Sequence, residues 1–383
     1  MPFTTIDLTK AVTGVLPDAN ANYSTPRPDG QPIIINGDMQ VSQRTTSETS
    51  ITDNRYSACD RFKIEIDSCG TWTVAQETLT SGNAYNNGFR KALRLDCTTA
   101  DASPSSADAV IISHRMEGQN LNVFKKGTSS AEKYTLAFWI KSNKTGTAQV
   151  NFTDEENTRM CSGTYTISSA NTWEKKIINI AADTSGASNN DNSEFIRISW
   201  WFDAGSNYTG GAVPTSWEST SASDKGVSTL SLADSTSNDV AITGIQLEVG
   251  EYSASNIPSF QHESYGDNLA RCHRYFEHRG YTAANQQVFT GQTISSVKMT
   301  GPIFYNVKRA SPTITMGNAI CGNQHNGVAG TVTTKSTAQI GLDTARFDVT
   351  HNASNANFAI TQGMAYVQLD NTTIDGLKFD SEL

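Results

Sequence analysis

Charge is scarce in this sequence. Asp, Glu, Lys and Arg make up 17% of 383 residues, and the 29 Lys and Arg are outnumbered by 38 Asp and Glu, for a formal net charge of −9. With a pI near 5.2 the whole-chain field repels phosphate backbones, so the basic footprint of a nucleic-acid binder is missing. The opening Met1-Pro2-Phe3-Thr4-Thr5-Ile6 has neither a basic n-region nor a long apolar run. That argues against a secretory leader and against membrane insertion, and leads us to expect assembly in a cytoplasm. Six cysteines (Cys59, Cys69, Cys97, Cys161, Cys272, Cys321) lack a short repeated spacing, which disfavours a zinc knuckle or a disulfide framework and favours buried free thiols. No glycine-rich phosphate loop or Ser/His/Asp constellation stands out, and the first 30 residues contain no heptad or glycine repeat.

What fills the chain instead is Ser, Thr, Asn and Gly between short apolar stretches, a mix suited to many strands joined by polar turns. Residues 1–30 carry isolated apolar positions (Ile6, Leu8, Val12, Val15, Leu16) and then Pro17, Pro26 and Pro28, and read as an extended docking arm. Strand signals follow. Phe62–Ile66 alternates, and Tyr134, Leu136, Phe138 and Ile140 share a face that excludes Trp139. Ile196, Ile198, Trp200 and Phe202 likewise share a face that excludes Trp201, and Val240–Val249 closes the set. About eight to ten strands suffice for a two-sheet sandwich over 31–256, with long loops near 98–108, 183–193 and 203–239. After Gly250 the period changes: Asp267, Leu269, Cys272 and Phe276 predict a short helix in a connector over 257–280. Alternation returns from 281 to 383, predicting a second β-sandwich domain. The fold class expected is all-β: sandwich, short helix, sandwich.

Six stretches carry a resemblance. They are Asn36–Arg44, Tyr56–Phe62, Ile242–Gly250, Ser264–Phe276, Val307–Thr313 and Phe379–Leu383. They are similar to segments of tail-fibre and related virion proteins of tailed bacteriophages, particularly marine and cyanobacterial phages, and together they span residues 33–383. The resemblance implies a virion structural protein whose first domain is a jelly roll of carbohydrate-binding type, forming homo-oligomers, generally trimers, and contacting other virion proteins. The family includes tail fibres, head fibres and other decorations.

Trp139 and Trp201, facing away from the core, and Tyr208 and Trp217, in the long loop, are candidates to cover the apolar face of a host-surface sugar ring. The competing reading places the outward tryptophans in a subunit or domain seam. Asn189, Asp191 and Glu194 offer oxygen ligands of the kind a structural calcium takes, without the ordered spacing of a recognised calcium loop; no other cofactor is expected. Asp154, Glu155 and Glu156 could suggest glycoside hydrolysis, but three successive acids in a turn more often mark a solvated hairpin tip. Cys272, His273, Glu277 and His278 diverge around a helix and read as structural. The expectation is therefore a non-enzymatic tail or capsid fibre that touches glycan. A purely architectural decoration or tail adaptor is the alternative, and a surface-polysaccharide depolymerase a more distant third.

Overall fold

A computed structural model describes residues 31–279, 287–295, 297–317, 319–323, 329–351, 364–369 and 376–383. The proposed arm, residues 1–30, lies outside the described residues. The first sheet orders β1 (Ser47–Ile51), β4 (Thr71–Thr78), β5 (Lys91–Thr99), β13 (Asp239–Val249), β7 (Tyr134–Ser142) and β10 (Glu174–Ile180). The second orders β12 (Glu218–Ser219), β9 (Arg159–Ile167), β8 (Gly146–Asp154), β11 (Glu194–Ala204), β6 (Ala109–Glu117), β3 (Phe62–Asp67) and β2 (Arg55–Tyr56). The chain crosses repeatedly from one sheet to the other, so strands distant in sequence become neighbours, as in a jelly roll.

The period-two pattern decides which side chains meet between the sheets. Phe138 of β7 and Trp200 of β11 touch edge to face, with ring centroids 5.7 Å apart. Trp200 is fully buried and lies across from Val150 and Ile112 on its two neighbouring strands. Each such fully buried large apolar side chain contributes about 1.5–3 kcal/mol. The described cysteines, other than Cys321, are buried free thiols.

The connector is helix α1 (Tyr265–His273), capped by Ser264, whose Oγ accepts from the Asp267 backbone N–H, while Asn268 and Cys272 face inward. The second β domain takes the form of a closed barrel with a small sheet beside it. The barrel runs β15 (Gln287–Ser295), β16 (Lys298–Phe304), β20 (Thr344–His351), β19 (Ala329–Ala338), β18 (Ala319–Asn323) and β21 (Met364–Leu369), returning to β15. Among the described residues each barrel strand pairs with a neighbour on both sides, which is how closure removes an exposed edge. The small sheet is β14 (Phe276–Arg279), β22 (Leu377–Asp380) and β17 (Thr313–Met316). Its Met316, Leu377 and Phe379 join the barrel core of Phe289, Met299, Ile303, Phe347, Val349 and Val367.

Five of the six stretches of the resemblance meet at the junction between the sandwich and this small sheet, and the sixth, Ile242–Gly250, is bonded to the first of them through Gly37. Asn36 donates its backbone N–H to Asn268 Oδ1 (3.1 Å) and its side-chain amide to the Val41 and Asp60 carbonyls. Gly37 accepts from Ile245 N, and a Cβ at Gly37 would stand 2.2 Å from the Ile245 carbonyl oxygen, so only glycine fits. Gln43 donates to the Phe276 carbonyl (2.9 Å), and Arg44 pairs with Asp380 (3.1 Å) and Glu382 (3.4 Å). Arg61, almost fully buried, pairs with Glu382 and stacks 3.4 Å over the Tyr275 ring. Arg309 donates to the Glu382 carbonyl (2.9 Å).

Candidate functional site

Alternation puts Trp139 and Trp201 on the outer faces of opposite sheets, and loops then cover both. Trp139 lies across from Lys175 and Thr243 and packs, half-buried, with Tyr85 and Phe260 against Leu79, Ala84, Phe89 and Trp173. It fills a seam within one chain. Trp201 lies across from Ile111 and Gln149 and packs with Ala109, Ile111 and Tyr208, the two aromatic rings 5.1 Å apart. Only 5% of Trp201 is exposed, because the 205–229 loop lies over it. A Cβ on Gly226 would come within 3.2 Å of the indole. Tyr208 is the half-exposed member of the pair.

Side chains of the second sheet hold that loop down. Gln149 Nε2 donates to Asn151 Oδ1 (2.6 Å) and to the Asp224 carbonyl (2.7 Å), and Asn151 donates to the Lys225 carbonyl (2.7 Å). Two buried polar atoms on facing residues of β8 and β11, Gln149 Oε1 and Trp201 Nε1, have no partner: one acceptor and one donor. Farther along the same face runs a charge ladder in which Arg115 pairs with Glu65 and Glu194, and Arg197 with Glu194 and Glu155. Burial opposes ionisation of Glu65, but the Ser113 hydroxyl and Arg115 hold its carboxyl below the usual range.

Tyr208 forms one wall of an open pocket of about 520 Å³ whose other walls include Asp53, Asn54, Asp67, Ser68 and Asp108. Asp67 Oδ1 accepts from Asn54 (2.9 Å), and Asp108 Oδ2 accepts from Ser105 N (2.7 Å). A ring face beside short acceptors with spare lone pairs can cover a pyranose and receive its hydroxyls. A larger groove of about 790 Å³ lies on the barrel, lined by Gln292, Thr300, Pro302, Gln339 and Arg346 among others, with no aromatic ring among its described lining residues.

Two expectations are corrected. Trp217 is not an exposed loop residue: it is 9% exposed, joins the sandwich core and donates Nε1 to the Ala181 carbonyl (2.8 Å). Its loop doubles back so that β12, directly after it, can pair with β9. Asp154 is not solvated either: it ends β8, fully buried and bonded to Lys126, while Glu155 and Glu156 lie in the β8–β9 hairpin turn itself and Glu155 pairs with Arg197. Asn189, Asp191 and Glu194 each have partners of their own within the chain. Asn189 N donates to Glu156, Asp191 accepts from Ser193 N, and Glu194 is occupied by Arg115 and Arg197. Among the described residues no group of three His, Cys, Asp or Glu is placed to hold a metal. Cys272 packs with Ile35, Val41 and Tyr275, and Glu277 pairs with Lys308 and Arg279, as a structural role requires.

Neither a protein-family model nor a curated protein matches this chain. Among solved structures it is similar to the enzymatically active domain of tailspike protein 4 of bacteriophage CBA120, at 12% identity and a TM-score of 0.29. That match covers 57% of this chain and 21% of the tailspike domain. The xylan-binding CBM22-2 domain of Paenibacillus barcinonensis Xyn10C is similar at 10% identity and a TM-score of 0.27, covering 56% of this chain and 97% of that one. A family 61 carbohydrate-binding module in complex with β-1,4-galactotriose is similar at 9% identity and a TM-score of 0.26, covering 57% and 99%. Among the described residues no helix is long and apolar enough to cross a membrane.

Proposed function

We propose that the chain is a non-enzymatic structural component of a tailed-phage particle, a tail or capsid fibre, whose sandwich makes a shallow contact with host-surface glycan at Tyr208. The observation that carries the sugar contact is Tyr208, half-exposed and braced by Trp201, beside the pocket of Asp53, Asn54, Asp67 and Asp108. Carboxylate and amide acceptors suit neutral or cationic sugars better than polyanions. One open site of this kind binds weakly, and copies displayed together raise the whole by roughly 10²–10⁴ when geometry lets them engage at once. The trimer expected from the family resemblance would supply that display.

The architectural reading is favoured by a different observation, the convergence of five of the six resemblance stretches on the inter-domain junction rather than around Tyr208. An array of bacterial surface glycans probed with multivalent full-length protein separates the two. The sugar reading expects binding that falls at least tenfold in Tyr208→Ala and in Asp67→Asn, with circular dichroism unchanged. Binding equal in both variants moves the site elsewhere; no binding by the parent protein leaves the architectural role.

A further inference from the structure

A buried ammonium is tolerated only when its hydrogens all find acceptors. The Lys126 side chain is 3% exposed, and oxygen surrounds its Nζ. Asp154 Oδ2 is in contact, Asp183 Oδ2 is at 2.9 Å, the Gly186 carbonyl at 3.0 Å and the Ser185 carbonyl at 3.4 Å. The rings of Trp217 (4.6 Å) and Phe195 (5.4 Å) complete the enclosure. Four oxygens face a group with three hydrogens, so the shell exceeds what an ammonium can use.

The shell is held independently of its occupant. Arg159 grips Asp183 through two bonds (2.8 and 2.9 Å), and Asn157 N fixes Asp154 Oδ1 at 2.9 Å. Gly186 sits at φ +70°, and a Cβ there would stand 2.7 Å from Nζ and 3.0 Å from Asp154 Oδ2. Glycine is what lets the backbone close around the charge. Burial opposes ionisation of Asp183, yet Arg159, and after it Lys126, hold its carboxyl below the usual range.

Two carboxylates and two carbonyls form an oxygen-only donor set, the type that hard divalent cations take. We propose that this is a cation site which the chain fills with its own ammonium, and that shortening Lys126 leaves a site for calcium. A groove of about 510 Å³ lined by Leu121, Lys125, Lys126, Ala187 and Phe195 among others lies against Lys126. The parent protein is then indifferent to divalent ions, while the shortened variant depends on them.

The test is urea refolding and thermal melting of full-length parent, Lys126→Ser and Lys126→Met, each in chelator and in calcium, with calorimetric titration of calcium alone. Expected are an unchanged parent, a Lys126→Ser protein whose melting temperature climbs with calcium concentration and which binds one ion, and a Lys126→Met protein that calcium does not rescue because the thioether stem blocks the shell. Magnesium should rescue Lys126→Ser less well, since it demands tighter octahedral geometry. The proposal is overturned by a Lys126→Ser protein that melts identically with and without calcium, by one that refolds in neither, or by rescue that survives a second Asp154→Asn substitution.

Discussion

The sandwich and the barrel are both antiparallel and apolar inside, but they are completed differently. Both walls of the sandwich come from its own strands, and its core cluster runs unbroken from Ile34 to Leu247. The barrel core draws Met316, Leu377 and Phe379 from the small sheet, and the stretch from Asp380, the last residue of β22, to Leu383 is bonded to Arg44, Arg61 and Arg309. One domain is closed by itself, while the other borrows part of its interior from the piece that attaches it. The junction should therefore matter more to the barrel than to the sandwich.

The largest effects come from emptying each core. Trp200→Ala and Phe347→Ala each remove a buried aromatic and should cost about 3–5 kcal/mol. Trp200→Ala should lower the transition that reports the sandwich, and Phe347→Ala only the one that reports the barrel, as followed by hydrogen exchange during urea unfolding. A single shared transition lowered equally by both would show that the domains fold as one unit and would remove the comparison.

A smaller effect is expected at the junction. Glu382 is buried beside Arg61 and Arg44, so Glu382→Gln keeps the shape but removes the charge that both guanidiniums face. Loss of charged hydrogen bonds of this kind costs about 1.5–3 kcal/mol. Hydrogen exchange should accelerate in β15, β16 and β20 and stay unchanged in β7 and β11; acceleration confined to the sandwich strands would reverse the dependence argued above.

The same contrast explains what could be read before the structure was known. The faces of Tyr134–Ile140 and Phe195–Phe202 followed from alternation, and the Ser264–Asp267 cap from local chemistry, because strand pleat and helix ends depend on near neighbours. Trp217 and Asp154 were misplaced because loop paths decide their burial, and loops of that length obey no period. Gln149 and Asn151 occupy outward positions on β8 that normally meet solvent, so nothing local marks them as loop anchors. Lys126 gave no signal for the same reason: its partners lie 28 and 57 residues away. Closure of the barrel needs β15 to find β21 as well as β16, a long-range choice that propensity does not encode.

The smallest expected effect lies inside the sandwich. His114 of β6 faces inward beside Phe62, ring centroids 5.0 Å apart, and is 1% exposed. Burial, and then the Arg61 charge, push its pKa well below the ordinary value near 6.5. Above that value the ring is neutral in both states and contributes no slope. As pH falls below about 6.5 the unfolded chain takes up a proton that the folded ring refuses, so stability is lost progressively down to the lowered folded value, at most about 1.4 kcal/mol per pH unit. His114→Phe removes the titration and should flatten the stability curve of the sandwich between about pH 6.5 and 5, while lying close to the parent protein at pH 7.5. Carboxyls with raised pKa values, Glu382, Asp203 and Glu156, are common to both proteins, so their opposite slope cancels in the difference. Urea midpoints measured at half-unit pH steps decide it: parallel acid limbs for parent and variant would show that His114 is protonated in the folded sandwich, and the burial argument for its neutral state would fail.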